Sequence, residues 1–463
     1  MQVRLIVLLA GIFLCQNLHS QTLSQSPYGR YAIGDVLPTT SAQLQALGGV
    51  TQVFADSNCL NPAQPASLTS LSAGATVFEA GLIGLSTHYK TGNQDLVGRT
   101  SGFGYFGLAF PLIRKKWSAG IYLSPLSNAG YVLKDTVFNA PEGQINFAYK
   151  GTGGFSSFSF IQSAQISKDF AVGLSVRYLF GKTDYSSEVT FPGDPNVRSS
   201  RITSSSRIND VDFTAGLTFQ HRFRKPGYRA VRDTSASALL NTDSLANVAR
   251  KKRPDRDSLH LKFGATFTPS VRASASDNYL AEAFLESTVD TILLKDKIAG
   301  RITTPMQAGA GFVISNCYNR WLFTTDFVYT DWSGFRMFDR IDSVRSSYRI
   351  SAGLQIFPGP DEKFSNKKLS YFKRIRYRFG GYYSDGNLRL YNQNVAEMGL
   401  SIGIGLPVKI ATYARRPATS LLNISVTAGQ RGTPGKNVLT EQFIRVTVGF
   451  SLNDRWFNKS KID

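Results

Sequence analysis

The chain has 463 residues, with 52 Lys and Arg against 32 Asp and Glu, and carries a formal net charge of +20 at pH 7. Three cysteines exclude a disulfide-rich scaffold, and no stretch after the amino terminus approaches the ~20 apolar residues of a membrane-spanning helix. The length allows two soluble domains, but an apolar/polar alternation running unbroken from residue 73 to residue 453 favours one closed sheet.

Met1–Ser20 reads as a secretory signal peptide: Arg4 is the charged start, Leu5–Leu14 the apolar run, and Leu18–Ser20 the cleavage site. Gln21–Ser72 has no strand alternation and is rich in Ser, Gln, Ala and Pro. Within it, Pro62 restricts Asn61 to extended geometry and favours a turn before the first strand. The alternation then predicts strands near 73–89, 101–112, 117–127, 154–167, 170–180, 211–221, 259–271, 304–315, 320–333, 346–357, 375–384, 396–407, 420–429 and 442–453. An even number of ~10-residue segments in an exported chain points to a transmembrane antiparallel β-barrel of about 14 strands. The barrel is expected over 73–457, with a polar tail at 458–463.

The eighth and ninth strands show the unit most clearly. Met306, Ala308, Ala310, Phe312 and Ile314 alternate with Gln307, Gly309 and Gly311, giving one greasy and one polar face. Trp117, Trp321, Tyr329, Trp332 and Trp456 sit near strand ends, where interfacial aromatic girdles belong. The face opposite the lipid is rich in Gly, Ser and Thr, as in Gly399, Ser401, Gly403 and Gly405, which leaves room for a plug or a passage.

Thr304-Pro305, Gly309, Gly311, Asn319-Arg320-Trp321, Asp326 and Tyr329–Ser333 resemble a segment of the FadL-like outer-membrane barrels, which carry hydrophobic compounds across the outer membrane. Leu47-Gly48-Gly49-Val50, Asp56 and Asn61-Pro62-Ala63 resemble that family's amino-terminal hatch, which makes 21–72 a hatch-like segment. Ser26–Asp35 is similar to the mature start of Bacteroidota members. The resemblance implies fourteen strands, a Gram-negative outer-membrane location, a hydrophobic small-molecule ligand and no cofactor. It also implies sideways release at a kink in the third strand. Pro125 lies in that strand, where proline removes a ladder donor and marks a bulge or a strand end.

Strand parity separates charge. If the first strand starts in the periplasm, the even-to-odd connections are periplasmic, and nearly all are basic. Two are long, 222–258 and 358–374, where family barrels have short turns. A basic rim favours anionic outer-membrane lipids, and the long connections suit a periplasmic or outer-membrane protein partner. An exported barrel meets no nucleic acid. The odd-to-even connection after the seventh strand is acidic at Asp277, Glu282, Glu286 and Asp290.

No residue set for catalysis or a metal appears: His88, His221 and His260 are isolated. Gly102–Gly107 matches a dinucleotide pattern by letters, but it lies in a strand with no helix after it. The positive features are those of a conduit or a scaffold rather than an enzyme. The leading expectation is a hatch-plugged channel for fatty-acid-like or aromatic compounds. The other is a non-transporting barrel subunit of an outer-membrane secretion or assembly complex, a role that FadL-related barrels fill in type 9 secretion.

Overall fold

The computed structural model describes residues 24–454 apart from residue 39 and residues 72–74, 92–93, 114–115, 140–142, 194–195, 224–258, 286–287, 317–318, 360–370, 409–419 and 433–437. The connections 222–258 and 358–374 therefore lie largely outside the described residues, as do the signal peptide, Glu286, Cys317, Trp456 and the polar tail.

Fourteen antiparallel strands close into one barrel. They are β1 (Thr76–Thr91), β2 (Gln94–Ile113), β3 (Trp117–Pro125, Ser127–Asn128 and Tyr131–Asn139), β4 (Gly143–Gln165), β5 (Phe170–Thr190) and β6 (Ser199–Phe223). Then come β7 (Leu259–Thr268 and Arg272–Leu285), β8 (Thr288–Thr303 and Met306–Asn316), β9 (Trp321–Asp331), β10 (Ser347–Ile356) and β11 (Arg376–Ser384). The last are β12 (Glu397–Val408), β13 (Ser420–Arg431) and β14 (Thr440–Asp454). Closure is made by β14 on β1, from Thr76↔Asp454 to Lys90↔Thr440. Both barrel termini thus share one rim, the terminal rim, and the odd-to-even hairpins form the other.

Alternation sorts the side chains as their chemistry requires. On β12, Met398, Leu400 and Ile402 are exposed on the outer face while Ser401 is buried inside. On β5, Leu174, Val176 and Tyr178 face out, and Ala171, Ser175 and Leu179 are buried. No described helix is long and apolar enough to cross a membrane. The strands do so, since a closed sheet leaves no backbone group unpaired in lipid.

The hairpin rim rises well above the expected strand ends. The 272–303 connection, read from sequence as an acidic loop, is a hairpin joined to the barrel wall through β6. Strands β4 to β6 run for 21 to 25 residues, far beyond the ~10 that a membrane needs. Alternation fails to reveal these extensions because both of their faces are polar or partly exposed. The girdle expectation changes at one position. Trp117, Trp321 and Tyr329 are exposed, but Trp332 is 5% exposed and packs with Phe335, Phe155 and Ile302 inside the hairpin-rim half. Trp332 shares the even parity of the buried Leu322, Thr324 and Asp326, opposite to the exposed Trp321 and Tyr329, and so lies on the inner side.

Residues 24–38 and 40–71 lie inside the barrel. Leu44, Leu47, Val50, Val53 and Phe54 form a cluster with Val313 of β8 and Leu322 of β9. Leu60, Leu68 and Leu71 pack against Val77, Tyr105, Tyr122 and Ile161 of β1 to β4. Each fully buried leucine contributes about 1.5–3 kcal/mol. This packing depends on glycines of the wall. A Cβ on Gly353 would lie 2.7 Å from the Leu47 carbonyl oxygen, and one on Gly380 would lie 2.8 Å from Leu47 Cα. Gly107, Gly173 and Gly264 face Leu60, Pro65 and Val53 in the same way. Strand glycine often marks close backbone approach. Replacing Gly353 and Gly380 by Ala should therefore loosen the segment by about 1–3 kcal/mol. Limited proteolysis of the folded barrel should then cut within 24–71, whereas Gly84→Ala, whose Cβ meets only an atom 4.0 Å away, should leave it protected.

Candidate functional site

The amino-terminal segment is fastened to the wall by polar contacts from many strands. Asp326 of β9 accepts from the backbone N–H of Thr51 at 2.6 Å and of Gln52 at 2.7 Å. Glu79 of β1 accepts from Leu60 N–H at 3.1 Å and from the Ser451 hydroxyl at 2.6 Å. Ser401 of β12 accepts from Gly48 N–H at 3.0 Å and donates to the Ala46 carbonyl. Arg376 of β11 pairs with Asp56 at 2.6 Å, and Arg431 of β13 with Asp35 at 2.6 Å. Ser26 donates to Glu441, and Tyr28 to the Leu439 carbonyl.

The sequence-derived hatch residues occupy distinct places here. Leu47 and Val50 are core. Gly48 and Gly49 both have positive φ, +78° and +76°, and Gly48 approaches the Gly381 and Ala352 backbone too closely for a side chain. Asn61 donates to the Thr51 and Phe54 carbonyls, drawing its turn against the preceding loop. Pro62 is buried and Ala63 half-buried in that turn. Cys59 is a free thiol beside the Ser41 hydroxyl at 3.3 Å. Burial, reinforced by Glu79, pushes this thiol well above its ordinary value, so it stays neutral. The wall residues Glu79, Arg376 and Arg431 were missed from sequence, and Asp326 was marked there only by the family resemblance, not as a contact to the segment. Their one signal was a charged side chain on the inward parity of a barrel strand.

Pro125 ends the first part of β3. The β2–β3 ladder runs from Ile113↔Trp117 to Phe106↔Leu123 and stops. β2 continues to Gln94 along β1, while the outer part of β3 runs along β4. Among the described residues no ladder joins those two stretches, so the wall carries a seam in its hairpin-rim half. Exposed Leu96 and Phe103 lie on one margin, Val132 and Phe138 on the other. Where β3 breaks, Ser127 and Asn128 pair with Val36 and Asp35 of the amino-terminal segment. Leu37 N–H donates to the Leu126 carbonyl at 3.0 Å, and the Ser127 hydroxyl to the Ile33 carbonyl at 2.6 Å. The break is thus stitched to the segment inside.

Between the wall and the part of the segment that carries Ser24, Ser26 and Asp35–Pro38 lies a cavity of about 150 Å³. Its lining is mixed: Ile83, Leu85 and Phe443 beside Asp35, Glu397, Glu441, Arg349, Arg431 and Arg445. Arg349 lies over the Tyr382 ring at 3.8 Å, and the Tyr382 hydroxyl donates to Glu397 at 2.6 Å. Among the described residues no group of three or more His, Cys, Asp or Glu is placed to hold a metal ion.

A closed fourteen-stranded barrel with an apolar outer face and an occupied lumen is a transmembrane β-barrel. The chain belongs to the BamG family, whose model matches residues 1–463. Among solved structures it is similar in fold to the CymD monoaromatic hydrocarbon channel, at 12% identity and TM-score 0.51, covering 92% of this chain and 100% of that one. It is also similar to a Pseudomonas aeruginosa FadL homologue, at 10% identity and TM-score 0.53, covering 91% and 99%. The Ralstonia pickettii toluene transporter TbuX matches at 11% identity and TM-score 0.50, covering 89% and 97%. At these identities the likeness concerns the fold. No curated protein matches the sequence.

The Asp56–Arg376 pair makes the fastening testable. Burial is the largest influence on Asp56 and pushes its carboxyl up, but Arg376, Arg378 and hydrogen bonds from the Gln43 side chain and the Asn58 N–H together hold the group below its ordinary value. A carboxylate lowered in the folded state stabilises fully above its unfolded pKa of about 3.9, and the contribution is lost as pH falls through the folded value. Protection of 24–71 from protease should therefore persist from neutral pH to about pH 4 and decline below it. Arg376→Gln should cost roughly 3 kcal/mol and move that decline to higher pH. Unaltered protection across the same range would show that the pair does not hold the segment.

Proposed function

We propose that this barrel is a passage for small hydrophobic compounds in a Gram-negative outer membrane, plugged by residues 21–72 and releasing its ligand sideways into the bilayer. The observation that carries this reading is the seam between β2 and β3. A gap in the wall flanked by apolar side chains at Leu96, Phe103, Val132 and Phe138 lets an apolar molecule leave the lumen without crossing a polar rim. Pro125 supports a gate at the foot of the seam, because proline offers no N–H to extend the ladder past Leu123. The names of the similar channels, one for monoaromatic hydrocarbons and one for toluene, suggest the class of cargo.

A second reading is favoured by the fastening itself. Ion pairs and buried carboxylates hold the segment at several heights, and the cavity between its first part and the wall is lined with charge. Such an interior suits a sealed barrel that serves as a subunit of an outer-membrane assembly or secretion complex. The connections 222–258 and 358–374 would then meet a protein partner.

Cellular uptake of toluene and of oleate separates the readings. In the transport reading Pro125→Val, which restores a donor, slows uptake several-fold at unchanged barrel abundance. Uptake equal to wild type at equal abundance removes the gate at Pro125. Uptake equal to that of a deletion strain, together with a stoichiometric protein partner in mild detergent, supports the subunit reading instead.

A further inference from the structure

The first part of β8 is paired along one edge only. There β7 covers it from Thr288↔Leu285 to Thr303↔Arg272. On its other edge the ladder is confined to Ile302 and Thr303, which meet the short strand Arg336–Met337 antiparallel. Phe338 N–H donates to the Arg301 carbonyl at 3.0 Å, and the chain then turns away through Phe338 and Asp339, both with positive φ. From Thr288 to Ala299 no ladder covers this edge among the described residues. An uncovered edge presents a row of N–H and C=O groups that a further strand can pair with.

The bare part of the edge is also apolar. Every residue from Thr288 to Ala299 is exposed, on both faces of the sheet. Val289 is 57% exposed, Ile292 67% and Leu294 63%. Natural sheets blunt such edges with lysine or proline. Here Lys295 and Lys297 stand at the lower part, and Thr288–Leu294 contains neither residue type. Lipid tails do not explain the apolar side chains. The adjoining wall carries the ion pairs Lys182–Asp184 and Arg201–Glu188, so this height lies beyond the hydrocarbon.

The chain's own long connections, 222–258 and 358–374, leave from the opposite rim. A second copy in the same membrane is related by an axis along the membrane normal. That axis preserves the sense of the strand, so two copies would meet in parallel, with Lys295 and Lys297 beside themselves. The edge already accepts Arg336–Met337 in the antiparallel sense, and a different chain can continue that line.

We propose that residues 288–299 of β8 are a docking edge for an extended strand of a different polypeptide, added antiparallel beyond Arg336–Met337. Main-chain hydrogen bonds supply the affinity, and apolar side chains set against Val289, Ile292 and Leu294 supply the selectivity. The inference rests on neither reading of the lumen, since it uses only the wall beyond the membrane.

The test places the photo-crosslinking residue p-benzoylphenylalanine in the full-length barrel in cells, at Ile292 or Leu294, with Ile202 of the interior strand β6 as the control. Both edge positions should give the same discrete heteromeric adduct, about fivefold stronger than that from Ile202. Successive strand amides point to opposite edges, so one of Leu293→Pro and Leu294→Pro removes an edge-directed N–H. With the probe at Ile292, that variant should cut the adduct about fivefold, and Leu293→Val and Leu294→Val should keep it. Heat-modifiable migration shows whether each variant has folded. Hydrogen exchange needs no substitution: alternate amides of 288–299 should exchange about tenfold more slowly in the complex purified in mild detergent than in the lone barrel. No protein adduct at either edge position, or only a homodimer adduct, overturns the proposal. So does a heteromeric adduct that leaves exchange at 288–299 unchanged, because the contact is then made by side chains and not by an added strand.

Discussion

The structure depends on close approach between two backbones. A barrel of this girth has to fill its interior, and here the filling is irregular chain rather than side chains. Irregular chain brings its own N–H and C=O groups, each of which needs a partner once buried. The wall meets that demand by omitting side chains at Gly173, Gly264, Gly353 and Gly380, so that segment backbone reaches wall backbone. It then places Asp326, Glu79 and Ser401 where the arriving N–H groups point. Glycine notches without those acceptors would leave buried donors unsatisfied, at about 1–3 kcal/mol apiece.

The same constraint explains the break in β3. An uninterrupted strand from Trp117 to Asn139 would extend the ladder with β2 along the whole wall. Instead Ser127 and Asn128 exchange hydrogen bonds with Asp35 and Val36, so a short piece of wall belongs to the segment's sheet. The seam and the packed interior are therefore one arrangement. Movement of the segment near Asp35 strips β3 of its inner partner, and widening of the seam loosens the segment. The Arg431 guanidinium, tied to Asp35 at 2.6 Å and lying 4.0 Å from Glu441, holds that junction to β13 and β14.

How much of this was legible in the sequence follows from solvent exposure. Strands that face lipid on one side and protein on the other alternate strictly, and β5, β8, β9 and β12 could be read residue by residue. Along the hairpin extensions both faces are polar or partly exposed, so 131–153, 181–210 and 272–303 lacked the alternation that identifies a strand. Small inward residues at Gly403 and Gly309 signalled vacant space, but nothing in a single sequence says which chain fills it. Trp332 was misread because nearness to a strand end was taken for a girdle position, although its parity is that of the buried Leu322 and Asp326 and it packs on Phe335. Ion pairs such as Arg376 with Asp56 and Arg431 with Asp35 join residues hundreds of positions apart, and local pattern carries no trace of them.

The central claim is that the amino-terminal segment and the β3 break act as one unit that must yield for cargo to pass. Cysteines at Val36 and Ser127, directly opposed in the ladder, can close a disulfide across that junction without disturbing the strands. Toluene uptake should be measured in cells carrying this pair, oxidised and then reduced. The account predicts that uptake falls on oxidation and returns on reduction, with barrel abundance constant. Uptake at the wild-type level while the disulfide is demonstrably closed would contradict it.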